Sequence, residues 1–286
     1  MEHRHDDTFG TADDDFDIDI LPTPLTVVCL KWGDLYGPEY VHRLAAGVKR
    51  HLKTPHRFVC VTDDAELDRL TDEFVIRQAR KLSGKPQGRL AVDCVDMPPD
   101  LPRWWGKLWL FSPEFSARIG GGRILFFDLD TVIVGSIDFL AQYRGPWACL
   151  SGFYHPFRCG SGVMSIGPQS NGSECVWELY DRDRAWAEGF CGNLGDGHWM
   201  QLCLGMGDRW QDMHPGKMAS YKVHCTASEI PETAAVVNFH GSPRPHEVFA
   251  YPQYSSSLPW MREHWLGENA DTLKISHVSG QPLVRS

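Results

Sequence analysis

Two aspartates, Asp128 and Asp130, interrupt the otherwise apolar segment RILFFDLDTVIVG. Charged side chains rarely stay in apolar surroundings unless a partner compensates them. On a β-strand the side chains of residues i and i+2 lie on one face, so both carboxylates can converge on one cation as the strand ends. Such oxygen ligands suit Mg²⁺ or Mn²⁺, which in turn bind phosphate oxygens. The alternative is a pair of acids that only caps a turn.

The segments before these acids predict a parallel β-sheet, which would place Asp128 and Asp130 at one of its edges. Residues 25–32 and 56–64 are apolar runs rich in β-branched side chains, which predict buried strands. Residues 39–52, between them, have apolar side chains at helical spacing. This order indicates a βαβ unit and a parallel sheet, whose ligand-binding loops follow the carboxyl ends of the strands. Residues 123–135 continue the sheet as a later strand.

The rest of the chain extends the α/β pattern as one main domain. We expect strands over residues 146–153 and 160–168. A further strand starts at residue 234 and runs into a Gly/Pro loop that ends at residue 245. Helices are expected over residues 103–115, 173–190 and 196–207. Residues 81–102 are rich in Pro and Gly and are expected to be irregular.

The expected boundaries leave a tail at each end of this domain. Residues 1–22 are rich in Asp and predict an acidic, disordered tail. The α/β domain covers residues 23–265, and residues 266–286 carry little pattern, which predicts a loose C-terminal tail.

Composition and charge narrow the function and the compartment. The chain has 286 residues and a formal charge of −9, which argues against a surface for duplex nucleic acid, since phosphates call for clustered Lys and Arg. No apolar stretch approaches the roughly 18 residues that a membrane span needs, and the first residues lack a signal-peptide pattern. Nine scattered cysteines without a CxxC pair suit a reducing compartment. We therefore expect a cytoplasmic protein.

Six segments occur in an order that is more specific than the DxD pair alone. They are CLKWGDLY, WGKLWLF, ILFFDLDTVIV, GSGVMSI, GDGHWMQL and FHGSPRP. In this order the chain resembles the GT-A glycosyltransferases of the family that includes glycogenin and the bacterial lipopolysaccharide galactosyl- and glucosyltransferases. The resemblance implies a Rossmann-like single domain with a mostly parallel central sheet. It also implies a hexosyltransferase that uses Mn²⁺ or Mg²⁺ and a nucleotide-sugar donor, a UDP-sugar rather than a GDP-sugar. Transfer would proceed with retention to a glycan, protein or other hydroxyl acceptor.

The resemblance assigns roles to residues around the first strand and the DxD motif. Asp128 and Asp130 would hold the metal, and Asp128 would also reach the ribose. Lys107 would face the donor phosphate or sugar, with an ordinary surface lysine as the alternative. Trp32 and Tyr36, after the first strand, are candidates to stack on the base, and core packing is the alternative for both.

Two further segments correspond to the part of the family's site that holds the sugar. Gly160, Ser161 and Gly162 match a small-residue turn that lets the chain approach the sugar closely. Asp196 and Gly197 stand where the family has an Asp-Gln pair. Asp196 can still accept a sugar hydroxyl, but the amide partner is absent, so we expect the donor specificity to differ.

The C-terminal segment resembles the family signature His-x-x-Gly-x-x-Lys-Pro-Trp. With Gly241 aligned, Arg244 replaces the lysine, which keeps the charge and adds bidentate phosphate binding. The family's metal-binding histidine then falls on Asn238, and His240 follows two residues later. Strand alternation makes positions 238 and 240 face the same way, and imidazole is the better Mn²⁺ ligand. We therefore predict His240 as the third ligand, with Asn238 beside it.

A phosphatase of the HAD type is the main alternative. Its DxDx[TV] signature fits Asp128, Asp130 and Val132, with the first Asp as nucleophile and the second as acid/base. A later GDxxxD motif includes Asp208 and ends at Asp212. That signature normally lies on the first strand of the chain, whereas a whole βαβ unit precedes it here. A non-catalytic sugar- or nucleotide-binding module with a GT-A-like fold is the third hypothesis.

Overall fold

The computed structural model describes residues 24–64, 92–225 and 229–267. In these ranges the strands are β1 Leu25–Lys31, β2 Arg57–Thr62, β3 Asp93–Asp96, β4 Arg123–Phe127, β5 Thr131–Ile133, β6 Trp147–Ser151, β7 Cys159–Ile166, β8 Asp208–Arg209, β9 Met218–Ser220 and β10 Val236–Asn238. The α-helices are α1 Pro38–His51, α2 Pro113–Ile119, α3 Asp138–Ala141, α4 Cys175–Arg182, α5 Arg184–Cys191, α6 Gly195–Leu204, α7 Trp210–Met213, α8 Tyr221–His224, α9 Glu247–Ala250 and α10 Leu258–His264. Arg103–Phe111, Gly192–Leu194 and Pro252–Ser257 form 3₁₀ helices.

Two sheets organise the fold, and the larger one has the order β3-β2-β1-β4-β7-β6-β8. Strands β3, β2, β1 and β4 are parallel, and β8 is parallel to β6. Within the described residues, β7 is the one strand of this sheet that is antiparallel to both of its neighbours, β4 and β6. The smaller sheet has the order β5-β10-β9, with β10 antiparallel to β5 and parallel to β9. The predicted α/β fold with a mostly parallel central sheet is therefore confirmed.

Apolar layers cover both faces of the larger sheet. Strand β1 is buried along its whole length, as an interior parallel strand is expected to be. Successive side chains of a strand point to opposite faces. Accordingly, Val27 packs in the layer that contains Val41 and Leu44 of α1, whereas Val28 packs in the layer that contains Leu108 of the 3₁₀ helix. The 3₁₀ helix is thus fixed against the sheet beside the end of β4.

The predicted strand over residues 123–135 is two strands in two different sheets. β4 belongs to the larger sheet and β5 to the smaller, and a tight turn joins them, closed by a bond of 3.1 Å from Thr131 N to Asp128 O. The prediction that Asp128 and Asp130 share one strand face is therefore wrong. Because the turn follows β4 directly, both acids still lie at the carboxyl end of a central strand.

Three other predictions need smaller corrections. Residues 103–111 form a 3₁₀ helix before the α-helix begins at Pro113. The helix expected over 173–190 is two helices, because the chain breaks at Asp183, whose side chain caps Trp186 N. The irregular segment 81–102 contains β3, which pairs with β2.

The predicted tails lie almost wholly outside the described residues, since the description begins at residue 24 and ends at residue 267. Both tails and the domain boundaries stay predictions. In the described part of the chain, no helix combines the length and the apolar character needed to cross a bilayer.

Candidate active site

The DxD turn is held between the two sheets by backbone hydrogen bonds. Asp128 N donates to Gly162 O of β7 at 2.8 Å. Phe239 N, just beyond β10, donates to Asp130 O at 3.0 Å. The backbone of the turn therefore cannot move independently of β7 or β10, and both acids start from a fixed backbone at the carboxyl edge of the larger sheet.

Lys107 joins three of the predicted site segments. Its side chain is buried, and Nζ lies 2.7 Å from Asp128 Oδ1, 3.1 Å from Ser161 Oγ and 3.7 Å from Asp196 Oδ2. Burial by itself lowers the pKa of Lys107, but the charges of Asp128 and Asp196 outweigh it and hold that pKa above its ordinary value. A charged lysine therefore sits between two carboxylates, so a surface lysine is excluded.

Asp130 faces the other side of the turn, towards the loop after β1. Tyr36 donates its hydroxyl to Asp130 Oδ2 at 3.1 Å. Burial and the charge of Asp128 raise the pKa of Asp130 to about 7. The guanidinium carbon of Arg244 lies 5.9 Å from the centre of the Tyr36 ring. Tyr36 thus links the DxD turn to the C-terminal Gly/Pro loop.

Trp32 has a different environment from Tyr36. It is half-buried and packs against the apolar layer that contains the 3₁₀ helix. The alternative of core packing therefore accounts for part of its surface, and its role in base stacking stays a prediction.

The first turn of α6 carries Asp196 into the site. The residue is buried, and its Oδ2 has no hydrogen-bond partner among the described residues. A Cβ on Gly197 would lie only 2.6 Å from the backbone oxygen of Cys159. Because the helix backbone packs directly on the start of β7, the glutamine of the family's Asp-Gln pair has no room here.

Asn238 and His240 have different surroundings. The alternation that placed both side chains on one face stops at Asn238, the last residue of β10. His240 Nε2 shares a hydrogen bond with Ser220 Oγ at 2.6 Å, and its ring stacks on Phe153 with centroids 5.4 Å apart. Among the described residues, no three His, Cys, Asp or Glu side chains are grouped so as to hold a metal ion. The structure therefore does not bring His240 together with Asp128 and Asp130.

The amide of Asn238, by contrast, points towards the DxD turn. Its Nδ2 donates to Ala219 O at 3.3 Å, whereas its buried Oδ1 has no hydrogen-bond partner in the described chain. A Cβ on Gly162 would lie 3.4 Å from Asn238 Oδ1 and 3.5 Å from Asp128 Oδ2. Both oxygens thus border the same glycine. A carboxylate oxygen and an amide oxygen are donor types that suit Mn²⁺ or Mg²⁺, and Asp130 follows Asp128 on the same turn.

A polar cluster that none of the sequence motifs includes lies where β1 and β2 end. Lys31 Nζ donates to Gly33 O at 3.0 Å and lies 3.5 Å from Asp64 Oδ2. Gly33 N donates to both carboxylate oxygens of Asp63, at 2.9 and 3.1 Å. The signal was present in the acids that end the β2 segment, at the sheet edge where ligands bind in α/β folds.

The second motif of the phosphatase alternative lies elsewhere. Asp208 Oδ2 accepts a hydrogen bond of 2.7 Å from Tyr143, whose hydroxyl also donates to Trp147 O at the start of β6. Asp128 lies near Leu150, towards the end of the same strand, since both border Gly162. Asp208 and Asp128 therefore lie towards opposite ends of β6, an arrangement that disfavours a phosphatase site using both acids.

A surface cavity of about 660 Å³ lies at the opposite edge of the sheet, between α2 and the start of α4. Among the described residues, its lining includes Glu174 and Glu178 and no Lys or Arg. Acids without a counter-ion repel a diphosphate, so this cavity is not the nucleotide site.

Comparisons with known proteins bear on the fold. The chain matches no protein-family model and no curated protein sequence. Its structure is similar to the glycosyltransferase GlyE of Streptococcus pneumoniae TIGR4, with 13% identity and a TM-score of 0.56 over 89% of this chain and 64% of that one. The galactosyltransferase LgtC, solved with donor and acceptor sugar analogues, has 13% identity and a TM-score of 0.52 over 84% and 96%. The bifunctional glycosyltransferase WbbM has 10% identity and a TM-score of 0.50 over 86% and 50%.

These similarities confirm the fold that the sequence resemblance implied. The structural neighbours are glycosyltransferases, and the chain has their GT-A fold. The chain spans 64% of the GlyE chain and half of the WbbM chain. Identities this low extend to the architecture only, so activity has to be argued from the site.

Proposed function

We propose that the protein is a metal-dependent hexosyltransferase that moves a sugar from a nucleoside diphosphate donor to a hydroxyl acceptor. A UDP-sugar is favoured over a GDP-sugar, and we propose retention at the anomeric carbon. The observation that carries the proposal is the buried Lys107 ammonium between Asp128 and Asp196, at the carboxyl edge of a GT-A sheet. LgtC, one of the structural neighbours, was solved with donor and acceptor sugar analogues, which supports this class of reaction.

Asp128 and Asp130 are proposed to hold the metal, with Asn238 rather than His240 as the third side chain. The amide fits because its oxygen is buried, has no hydrogen-bond partner among the described residues and borders the same glycine as Asp128. His240 is already engaged by Ser220. A divalent cation bound there would neutralise charge on the diphosphate as it leaves.

The Gly/Pro loop after β10 is proposed to bind the diphosphate. Gly241 has φ +82°, a conformation that favours glycine, and a Cβ there would lie 3.5 Å from Lys222 Nζ. Arg244 is held over Tyr36, and its Nε is buried without a hydrogen-bond partner in the described chain. Two cations beside one glycine turn match the charge and the hydrogen-bonding needs of a diphosphate. Lys222 had no sequence motif to identify it.

Asp196 and Lys107 are proposed to place the donor sugar. Asp196 Oδ2 lacks a hydrogen-bond donor in the described chain, and a sugar hydroxyl would supply one. Lys107 orients this carboxylate, because its Nζ lies 3.7 Å from Asp196 Oδ2. Ser161 and Gly162 form the half-exposed start of β7 over which a sugar can lie close to the backbone. With Asp196 in this orienting role, we propose front-side attack by the acceptor hydroxyl rather than a double displacement.

Calorimetric titration with UDP and GDP, with Mn²⁺ or with EDTA, tests the donor and metal assignments. We expect tight UDP binding that requires Mn²⁺ and is lost in Asp130→Asn, and slow hydrolysis of UDP-glucose or UDP-galactose by the wild type. Equal UDP affinity with and without Mn²⁺ in both proteins would refute the metal assignment. Binding without hydrolysis or transfer would favour the non-catalytic module, and hydrolysis of p-nitrophenyl phosphate alone would favour the phosphatase.

Mn²⁺ titration followed by electron paramagnetic resonance separates Asn238 from His240. In the presence of UDP, Asn238→Ala should weaken Mn²⁺ binding by about tenfold or more, since loss of one ligand commonly costs on the order of 1–3 kcal/mol. His240→Ala should leave Mn²⁺ affinity within about twofold. The reverse pattern would restore the histidine assignment made from the sequence.

A further inference from the structure

We propose that the turn between β6 and β7, residues 152–158, is the acceptor subsite and that it takes a carbohydrate by stacking on one sugar ring. The inference rests on the proposed transferase function and adds the acceptor class. The turn has the sequence GFYHPFR, with three aromatic side chains in seven residues. Its contacts, exposure and position support the assignment.

Two of these aromatic side chains are presented to solvent. Tyr154 is 60% exposed and Phe157 is 82% exposed. Exposed aromatic surface gains nothing for folding, and clustered exposed apolar groups mark binding sites. Tyrosine in particular offers an apolar face with a polar tip, which matches the CH face and the hydroxyl rim of a pyranose.

The turn is held rigidly. Gly152 N donates to Arg158 O, and Arg158 N donates to His155 O, each at 2.9 Å. Gln201 of α6 braces the turn from below, because its Nε2 donates to Phe157 O and its Oε1 accepts from Cys159 N, both at 2.9 Å. We call the exposed side chains of Tyr154 and Phe157 on this turn the aromatic platform. Because the turn is rigid, the platform loses little conformational entropy when a ligand binds.

The turn also borders the proposed donor site. It leads directly into residues 159–162 of β7, which stay half-exposed although they belong to a central strand. Phe153 stacks on His240, and Tyr154 meets the same imidazole edge-on at 5.4 Å. His240 precedes Gly241, where we place the diphosphate. The aromatic turn therefore adjoins both the loop in which we place the diphosphate and the start of β7, which carries Ser161.

The size of the platform favours a sugar over a protein acceptor. Two side chains on one tight turn offer about the area of one or two rings, whereas a stable protein partner covers about 800 Å² on each side. His240 is also explained by this arrangement, since it supports the platform through its contact with Phe153.

Transfer kinetics with lactose, maltose and N-acetylglucosamine as acceptors test the proposal, using the UDP-sugar that the wild type hydrolyses. Tyr154→Ala and Phe157→Ala should each raise the acceptor KM by about fivefold to tenfold, as the loss of one aromatic contact predicts, with the loss not mirrored in UDP affinity. Tyr154→Phe should retain most of the acceptor affinity. Trp186→Ala is the matched control, because Trp186 is similarly exposed, at 56%, but lies on α5.

Saturation-transfer NMR with the same sugars keeps this test separate from the proposed function. If the wild type neither hydrolyses nor transfers any sugar from UDP or GDP donors, the transferase assignment fails, and the subsite is judged by sugar binding alone. Circular dichroism checks that each variant is folded. Unchanged acceptor KM in both alanine variants, absence of sugar binding to the wild type, or transfer to a Ser/Thr peptide but to no sugar would each overturn the proposal.

Discussion

Replacing Gly197 with alanine should destabilise the protein, because the backbone of α6 packs against β7 at this residue. A Cβ there would lie 2.6 Å from Cys159 O, whereas ordinary contact begins at 3.4 Å, so the helix or the strand must retreat by roughly 0.8 Å. Overpacking of this kind costs about 1–3 kcal/mol, and alanine returns about 1 kcal/mol through its higher helix propensity. We expect a net loss of about 1 kcal/mol.

Gly189 provides the matched control on α5. A Cβ at this position would meet no atom within 4 Å, so Gly189→Ala should gain up to about 1 kcal/mol from helix propensity alone. Urea unfolding followed by tryptophan fluorescence should give midpoints that move in opposite directions at an unchanged m-value. Equal shifts of the two midpoints would refute the argument from the close approach of helix and strand.

The same contact has a functional consequence. Gly197→Gln restores the family's Asp-Gln pair in sequence, but its side chain would push α6 away from β7 and move Asp196 with it. We expect this variant to lose donor binding rather than gain specificity. Improved use of any nucleotide sugar by Gly197→Gln would mean that the site has room for the amide.

The other predictions concern the two charged sides of the site. Arg244→Ala should weaken UDP binding by roughly ten- to a hundredfold, because a charge-assisted hydrogen bond contributes that much to affinity. Uridine binding should stay nearly unchanged. If calorimetry shows equal losses of affinity for UDP and for uridine, Arg244 only supports the loop. With EDTA present at pH 8, the free energy of unfolding in urea should be about 2 kcal/mol higher for Asp130→Asn than for the wild type. The reason is that burial raises the pKa of Asp130 to about 7, so the ionised carboxylate destabilises the folded wild type. Partial exposure of Asp130 to solvent reduces this destabilisation. As the pH rises from about 4 to about 7, the wild type should lose more stability than the variant, in which only Asp128 keeps a raised pKa. Parallel pH profiles would contradict this origin of the difference.

The elements that the sequence predicted well depend on local patterns. β1, α1 and β2 were found from an apolar run, a helical period and a second apolar run, and each lies within a few residues of its expected bounds. β3 was missed because DCVD is short and weakly apolar, and its strand state depends on pairing with β2 across a long intervening segment. Pairing partners that are distant in the chain leave no local signal.

The composition of the site could be predicted to a larger extent than its contacts. The family resemblance selected Lys107, Asp128 and Asp196, and the structure brings all three within hydrogen-bond or ion-pair distance. No feature of the sequence indicates that the lysine lies between the two acids. Lys222 and the aromatic turn could not be predicted, because neither belongs to a motif. Lys222 is recognised from its position beside Gly241, and the aromatic turn from its contacts with His240.

In the choice of a third metal ligand between Asn238 and His240, the path of the chain matters more than the intrinsic affinity of each side chain for Mn²⁺. Imidazole is the better ligand for Mn²⁺, which favoured His240 as long as both residues were assumed to continue one strand. β10 ends at Asn238, and the bond from Phe239 N to Asp130 O ties the next residue to the DxD turn. The chain then carries His240 to Ser220 and leaves the amide oxygen at the glycine beside Asp128. Ligand chemistry can rank only those side chains that reach the site, and the end of the three-residue strand β10 is the reason that we propose Asn238.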